Sequence, residues 1–190
     1  MRKLSIILLF FLTACSNNHV YSEKNETTIR SDSVSEKTSI KALNRSAASL
    51  PNKMPSDFNF SIEFGIGSKN KIDTFKNIVQ KDLISNGIVT TNLKLTQDEM
   101  GKIYQQMKDI KIMDSKNLTP EQLDCITTPF ETDKWVIQVA GETKKLEWSG
   151  QYCQVTEDAK ELLALRKSVF ELIKSKKEYT NLPDVKGGYQ

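Results

Sequence analysis

The chain has 190 residues, 38% hydrophobic and 27% charged, with 27 Lys and Arg against 24 Asp and Glu, one histidine and three cysteines. That is enough for one ordinary domain with some chain to spare, and no apolar run reaches the roughly 20 residues that a spanning helix needs. A formal net charge of +3 supplies no field for nucleic acid, and so few Cys and His offer no metal ligand set.

The amino terminus reads as an address label. Arg2 and Lys3 precede LSIILLFFL at residues 4–12, and Thr13, Ala14 and Cys15 follow. This run is about half a membrane span, the size of a signal peptide. Leu12-Thr13-Ala14-Cys15 resembles the lipobox of bacterial lipoproteins. The resemblance implies a diacylglyceryl group on the Cys15 thiol, cleavage just before it, and acylation of the new amino terminus, palmitate being the type of chain expected. Residues 1–14 are then a signal peptide, and the protein is held to the cell membrane on its extracytoplasmic side. At about 0.8 kcal/mol per buried CH₂, two acyl chains suffice as an anchor. Loss of Arg2 and Lys3 takes the basic residues from 27 to 25 against 24 acidic, so the mature chain is close to neutral.

Residues 16–56 are rich in Ser, Asn, Thr, Lys and Glu and have no sustained apolar period. Such a stretch buries too little to offset its ordering entropy. It reads as a flexible tether spanning roughly 35 Å as a coil, with a short helix at 39–49 as an option, and Pro51 and Pro55 near its end. The expected boundaries are 1–14 for the signal peptide, 15–56 for the lipidated cysteine and tether, and 57–190 for a globular domain.

Phe58, Phe60, Ile62 and Phe64 alternate with polar residues, the period of a half-buried strand. Residues 65–70 then form a turn. Gly65-Ile66-Gly67 lacks the third glycine of a dinucleotide fingerprint, Asn70 standing in its place. In 71–84 the positions of Ile72, Phe75, Val79 and Leu83 suit a helix, while pairing with the first strand suits a strand. Val89, Thr91, Leu93 and Leu95 alternate again, giving a strand at 88–95. Thr96 and Glu99 make a capping box, and Met100, Ile103, Tyr104, Met107 and Ile110 form the buried stripe of the helix that follows. Residues 114–129 read as a loop. Asp114, Lys116 and Leu118 fall at calcium-loop positions, but two of the three are the wrong residue type.

Trp135, Ile137 and Val139, then Lys144, Leu146 and Trp148, flank a turn. With Gly141-Glu142 as a two-residue type II′ turn, Trp135 lies opposite Trp148 and Ile137 opposite Leu146. Both tryptophans then share one face. Either that face is the core, or one tryptophan turns outward as a binding platform. Thr156 caps a last helix carrying Ala159, Leu162, Leu163, Arg166, Val169, Phe170 and Ile173, with an irregular tail from Glu178. The expected fold is α+β: an antiparallel sheet of about five strands with two helices on one face. Once Cys15 is lipidated, Cys125 and Cys153 are the even pair of an exported protein and read as a disulfide. The loop of about 29 residues that it closes corresponds to roughly 3.6 kcal/mol of chain entropy.

The short stretches Lys69-Asn70, Asp73-Thr74-Phe75, Lys81-Asp82, Leu146-Glu147-Trp148, Glu178-Tyr179, Leu182-Pro183 and Gly188-Tyr189 resemble uncharacterised lipoproteins of Gram-positive bacilli over residues 57–190. Those proteins carry Thr and Tyr where this chain has Asn77 and Val79, which implies a strand for 71–84. The resemblance brings no activity with it.

The only histidine, His19, lies on the tether, so a nucleophile in the domain lacks its usual base. The carboxylates Glu131 with Asp133, and Asp57 with Glu63, are the pairs on which a His-free cell-wall hydrolase would depend. Among 24 acidic residues such pairs also arise on any solvated face. The expectation is therefore a membrane-anchored binding or interaction domain. It has no catalytic residue, metal or cofactor, and its partner is a protein or cell-wall component. An inhibitor or immunity-type lipoprotein is the alternative.

Overall fold

The computed structural model describes residues 50–190. The expected signal peptide, Cys15, the part of the expected tether through residue 49 and the optional helix at 39–49 lie outside them. The described part contains β1 (Asn59–Ile66), β2 (Asn70–Asp73), β3 (Ile78–Asp82), β4 (Ile88–Asn92), α1 (Gln97–Asp109), β5 (Glu131–Val139), β6 (Glu142–Ser149), α2 (Glu157–Lys174) and α3 (Lys177–Thr180). The fold is α+β, with one sheet of order β4-β3-β2-β1-β5-β6. Every neighbouring pair is antiparallel. Six strands stand where about five were expected.

The extra strand comes from residues 71–84, which are neither one strand nor a helix. Asp73 Oδ1 accepts the Lys76 N–H at 3.1 Å, and Asn77 takes a φ of +52°, so the chain reverses there. Such a local side-chain bond and a left-handed Asn are how turns form. The turn puts Ile72 opposite Val79 on the buried face and leaves Phe75, which fitted the helical pattern, 41% exposed at its tip. The strand expected at 88–95 stops at Asn92, although Leu93 and Leu95 still enter the core.

The β5–β6 hairpin keeps the expected face but not the expected register. Val139 pairs with Glu142, Ile137 with Lys144, Trp135 with Leu146 and Asp133 with Trp148. The turn residues are Ala140 (φ +51°) and Gly141 (φ +78°), the type I′ pattern, which takes positive φ at both central positions. A shift of two leaves every side chain on its own side of the sheet, so both tryptophans still face inward. The register has a visible cause. Asp57 accepts the Ala140 N–H at 3.0 Å and the Gly141 N–H at 2.7 Å, clamping the turn from the start of β1. These bonds, Gly141 foremost, hold the Asp57 carboxyl below its usual range.

Packing extends to residues before Asp57. Leu50 is in the core, and the Pro51 carbonyl accepts the Tyr104 hydroxyl at 2.7 Å. The α1 capping box is formed reciprocally by Thr96 and Glu99, and Lys176 donates to the same Glu99 carboxylate, tying the helix start to the chain after α2. Met100, Ile103, Tyr104 and Met107 of α1 join the sheet's inward side chains in a single core cluster. From α2 the buried members are Ala159, Leu162, Leu165, Val169 and Ile173. Leu165 thus takes the place expected of Leu163, which lies half-buried like Phe170. The other side of the sheet carries Ser61, Glu63, Lys71, Gln80, Lys134, Lys145 and Glu147, all half-buried or exposed.

Cys125 and Cys153 sit at disulfide distance, Cα to Cα 5.5 Å. They tie the 114–129 loop to the chain leaving β6, where the Cys153 N–H also donates to the Cys125 carbonyl at 3.1 Å. No helix among the described residues is long and apolar enough to cross a membrane.

Candidate functional site

The tryptophans are not on the surface. Trp135 is 1% exposed and Trp148 7%, both within the core. Neither offers a platform. The two carboxylate pairs are also not poised in a cleft. Asp57 is committed to the β5–β6 turn, and Glu63 pairs with Lys71 across β1 and β2 at 3.0 Å. Glu131 and Asp133 point from one strand to one partner, Arg166 of α2. Nη2 of that arginine donates to Glu131 at 2.8 Å, and its Nε donates to Asp133 at 3.2 Å. The guanidinium lies 5.4 Å from the Phe64 ring centre. Asp133 is fully buried between its cross-strand neighbours Phe64 and Trp148. Burial pushes its carboxyl up to about 6, against the pull of Arg166. Among the described residues its Oδ1 and the Trp135 Nε1 have no hydrogen-bond partner.

A cleft of about 260 Å³ opens beside this fork, where the end of β1, the start of β2 and the end of β3 meet α2, α3 and the carboxy-terminal tail. Gly65 begins it. Its φ of +88° is one that a side chain rarely adopts, and an added Cβ would lie 3.0 Å from the Asn70 amide nitrogen. Asn70 Oδ1 accepts the Asp82 N–H at 3.0 Å. Asp82 in turn accepts the Ile84 N–H at 2.9 Å and the hydroxyl of Tyr189. Lys69 lies 4.9 Å from the Tyr189 ring centre. Lys81 donates to the Pro183 carbonyl at 2.8 Å and lies 5.2 Å from the Tyr179 ring centre. Tyr179 stands edge-on to Phe170 at 5.7 Å, and burial pushes its hydroxyl above the usual tyrosine range.

The tail reaches the cleft because Lys186 pairs with Ile84 and exchanges backbone bonds with Leu83 and Ser85. Gly187 follows at φ +92°, so close that an added Cβ would lie 2.3 Å from Ser85 Oγ.

Five of the stretches behind the lipoprotein resemblance therefore meet here, through Lys69-Asn70, Lys81-Asp82, Tyr179, Pro183 and Tyr189. Sequence reasoning left them as separate echoes, because residues more than a hundred positions apart share no local period. Their juxtaposition was the signal it missed. Among the described residues no three His, Cys, Asp or Glu side chains are grouped to hold a metal ion. No protein-family model, curated protein or solved structure matches the chain.

Proposed function

We propose that the protein is an extracytoplasmic lipoprotein, anchored to the cell membrane through acyl chains on Cys15, whose folded domain is a binding module. The anchor rests on the order of charge, short apolar run and cysteine at the amino terminus. The observation that carries the binding reading is the cleft beside Arg166. Its aromatic and polar side chains converge from six segments, and its charged groups already have protein partners, Glu131 in Arg166, Asp82 in the Tyr189 hydroxyl and Lys81 in the Pro183 carbonyl. The carboxyl with a raised pKa, Asp133, is sealed beneath Arg166. This favours recognition over a two-carboxylate hydrolase, which needs both acids exposed to substrate on either side of the scissile bond.

Cross-linking on intact cells, with the cross-linker placed by cysteine substitution at the exposed Val185 beside the cleft, tests the module. A captured protein or cell-wall fragment supports it. Turnover of wall material by purified protein, lost in Glu131→Gln, would replace it with the hydrolase. Detergent partitioning and intact mass test the anchor: wild type should carry acyl mass on Cys15, Cys15→Ala should not, and an unmodified mature wild-type protein would refute it. The inhibitor or immunity reading draws on a different observation, the polar outer side of the sheet with Lys71, Lys134 and Lys145 beside Glu63 and Glu147. It gains if cross-links form from that face and not from Val185.

A further inference from the structure

We infer that the cleft between Gly65, Asn70, Glu131 and Tyr179 takes a small, uncharged, polyhydroxylated ligand, a sugar ring or short saccharide; this rests on the binding-module reading and names its ligand class. Three observations select that chemistry.

The first is charge balance. Lys69, Lys81 and Arg166 meet Asp82, Glu131 and Asp133 around the cleft, and each cation contacts an acid, a carbonyl or a ring. An ionic ligand would enter a site with no net field to hold it and would have to displace pairs already made.

The second is the set of hydrogen-bonding groups left over. Asn70 spends its oxygen on the Asp82 N–H, and Glu131 spends Oε2 on Arg166. Among the described residues, Asn70 Nδ2, Glu131 Oε1 and the Tyr179 hydroxyl have no partner, although all three residues line the cleft. They supply an amide donor, a carboxylate acceptor and a hydroxyl able to do both. Like any tyrosine hydroxyl, that of Tyr179 is protonated at neutral pH and can donate as well as accept. Vicinal hydroxyls, each a donor and an acceptor, match such a mixture.

The third is the wall. Phe170, Tyr179 and Tyr189 give the cleft aromatic surface, suited to the C–H faces of a pyranose. The volume of about 260 Å³ lies just under the range of drug-sized sites, which limits the ligand to one or two rings.

The test is a titration of the full-length, ¹⁵N-labelled protein in detergent with N-acetylglucosamine, its disaccharide and glucose. Acetate and free lysine serve as charged probes. Saturable amide shifts at Gly65, Asn70, Asp82 and Tyr189 with a neutral sugar are expected. Tyr179→Phe removes one hydroxyl that has no partner among the described residues, so its melting temperature should match wild type while sugar binding weakens about 3- to 10-fold. Acetate or lysine binding more tightly than every sugar overturns the inference, as does a Tyr179→Phe variant with unchanged sugar affinity. If no sugar shifts these amides while cross-links from Val185 still capture a partner, the ligand class is wrong and the binding module stands. If neither occurs, both fall.

Discussion

Asp133 makes the stability of this domain depend on pH in a way that can be calculated. Its side chain has no exposed surface, and Arg166 reaches only one of its two oxygens. Burial therefore outweighs the ion pair, and the carboxyl rises from 3.8 to about 6. The unfolded chain restores it to an ordinary value. Between those two values the folded state holds the proton and the unfolded state does not, so stability increases as pH falls through the window and is lost as pH rises through about 6. The shift corresponds to about 3 kcal/mol at full extent, of which about 2 kcal/mol falls between pH 7 and pH 4.5. No histidine titrates in this window among the described residues, because the only histidine of the chain, His19, lies outside them. Among the described residues the lowered carboxyls are Glu99, held down chiefly by Lys176, Asp158, held down chiefly by the Asn117 N–H, and Asp57. They act in the opposite sense, but only below their ordinary values of 3.8 to 4.5. Urea unfolding of the oxidised protein at half-unit steps from pH 4.5 to 7 measures the effect. Asp133→Asn keeps an oxygen for Arg166 and removes the titration, so its stability should be flat over the same range. A wild type that is flat or weakens towards pH 4.5, or an Asp133→Asn variant with the wild-type slope, would show that the carboxyl is not held in the buried state described.

Three further outcomes follow from the packing. Ala140→Asn should stabilise the domain by about 0.5–1 kcal/mol in chemical denaturation, since Asn accepts the left-handed conformation that Ala140 is made to adopt; a loss of stability would contradict the type I′ turn. Trp135→Ala should cost about 3–5 kcal/mol, and the remaining tryptophan should emit in the blue with little quenching by iodide, whereas red-shifted, readily quenched emission would place it at the surface. Reducing the Cys125–Cys153 pair, or replacing both residues by Ser, should cost about 2–4 kcal/mol, and both thiols labelling without prior reduction would refute the bridge.

The sequence by itself determined the parts governed by local periods and local chemistry. Strict alternation at Phe58, Phe60, Ile62 and Phe64 admits one buried face. Thr96 and Glu99 satisfy each other's backbone within one turn, and a period of two puts both tryptophans on one face at either hairpin register that differs by two residues, the structure then turning that face inward. Tertiary structure decided what those periods leave open. A register shift of two residues preserves every face, so the pattern alone could not choose between turns at Ala140-Gly141 and Gly141-Glu142; Asp57, more than eighty residues earlier, makes the choice through two hydrogen bonds. Residues 71–84 satisfied both a helical and an extended pattern until Asp73 and Asn77 turned the chain back on itself. Asp133 and Glu131 looked like any two acids near a strand, and only α2, by laying Arg166 across them, buried one and exposed the other. The cleft was least legible of all. Its groups come from strand ends and the tail, where no repeat constrains the residues, and they become a site only when the sheet, α3 and the last residues of the chain are packed together.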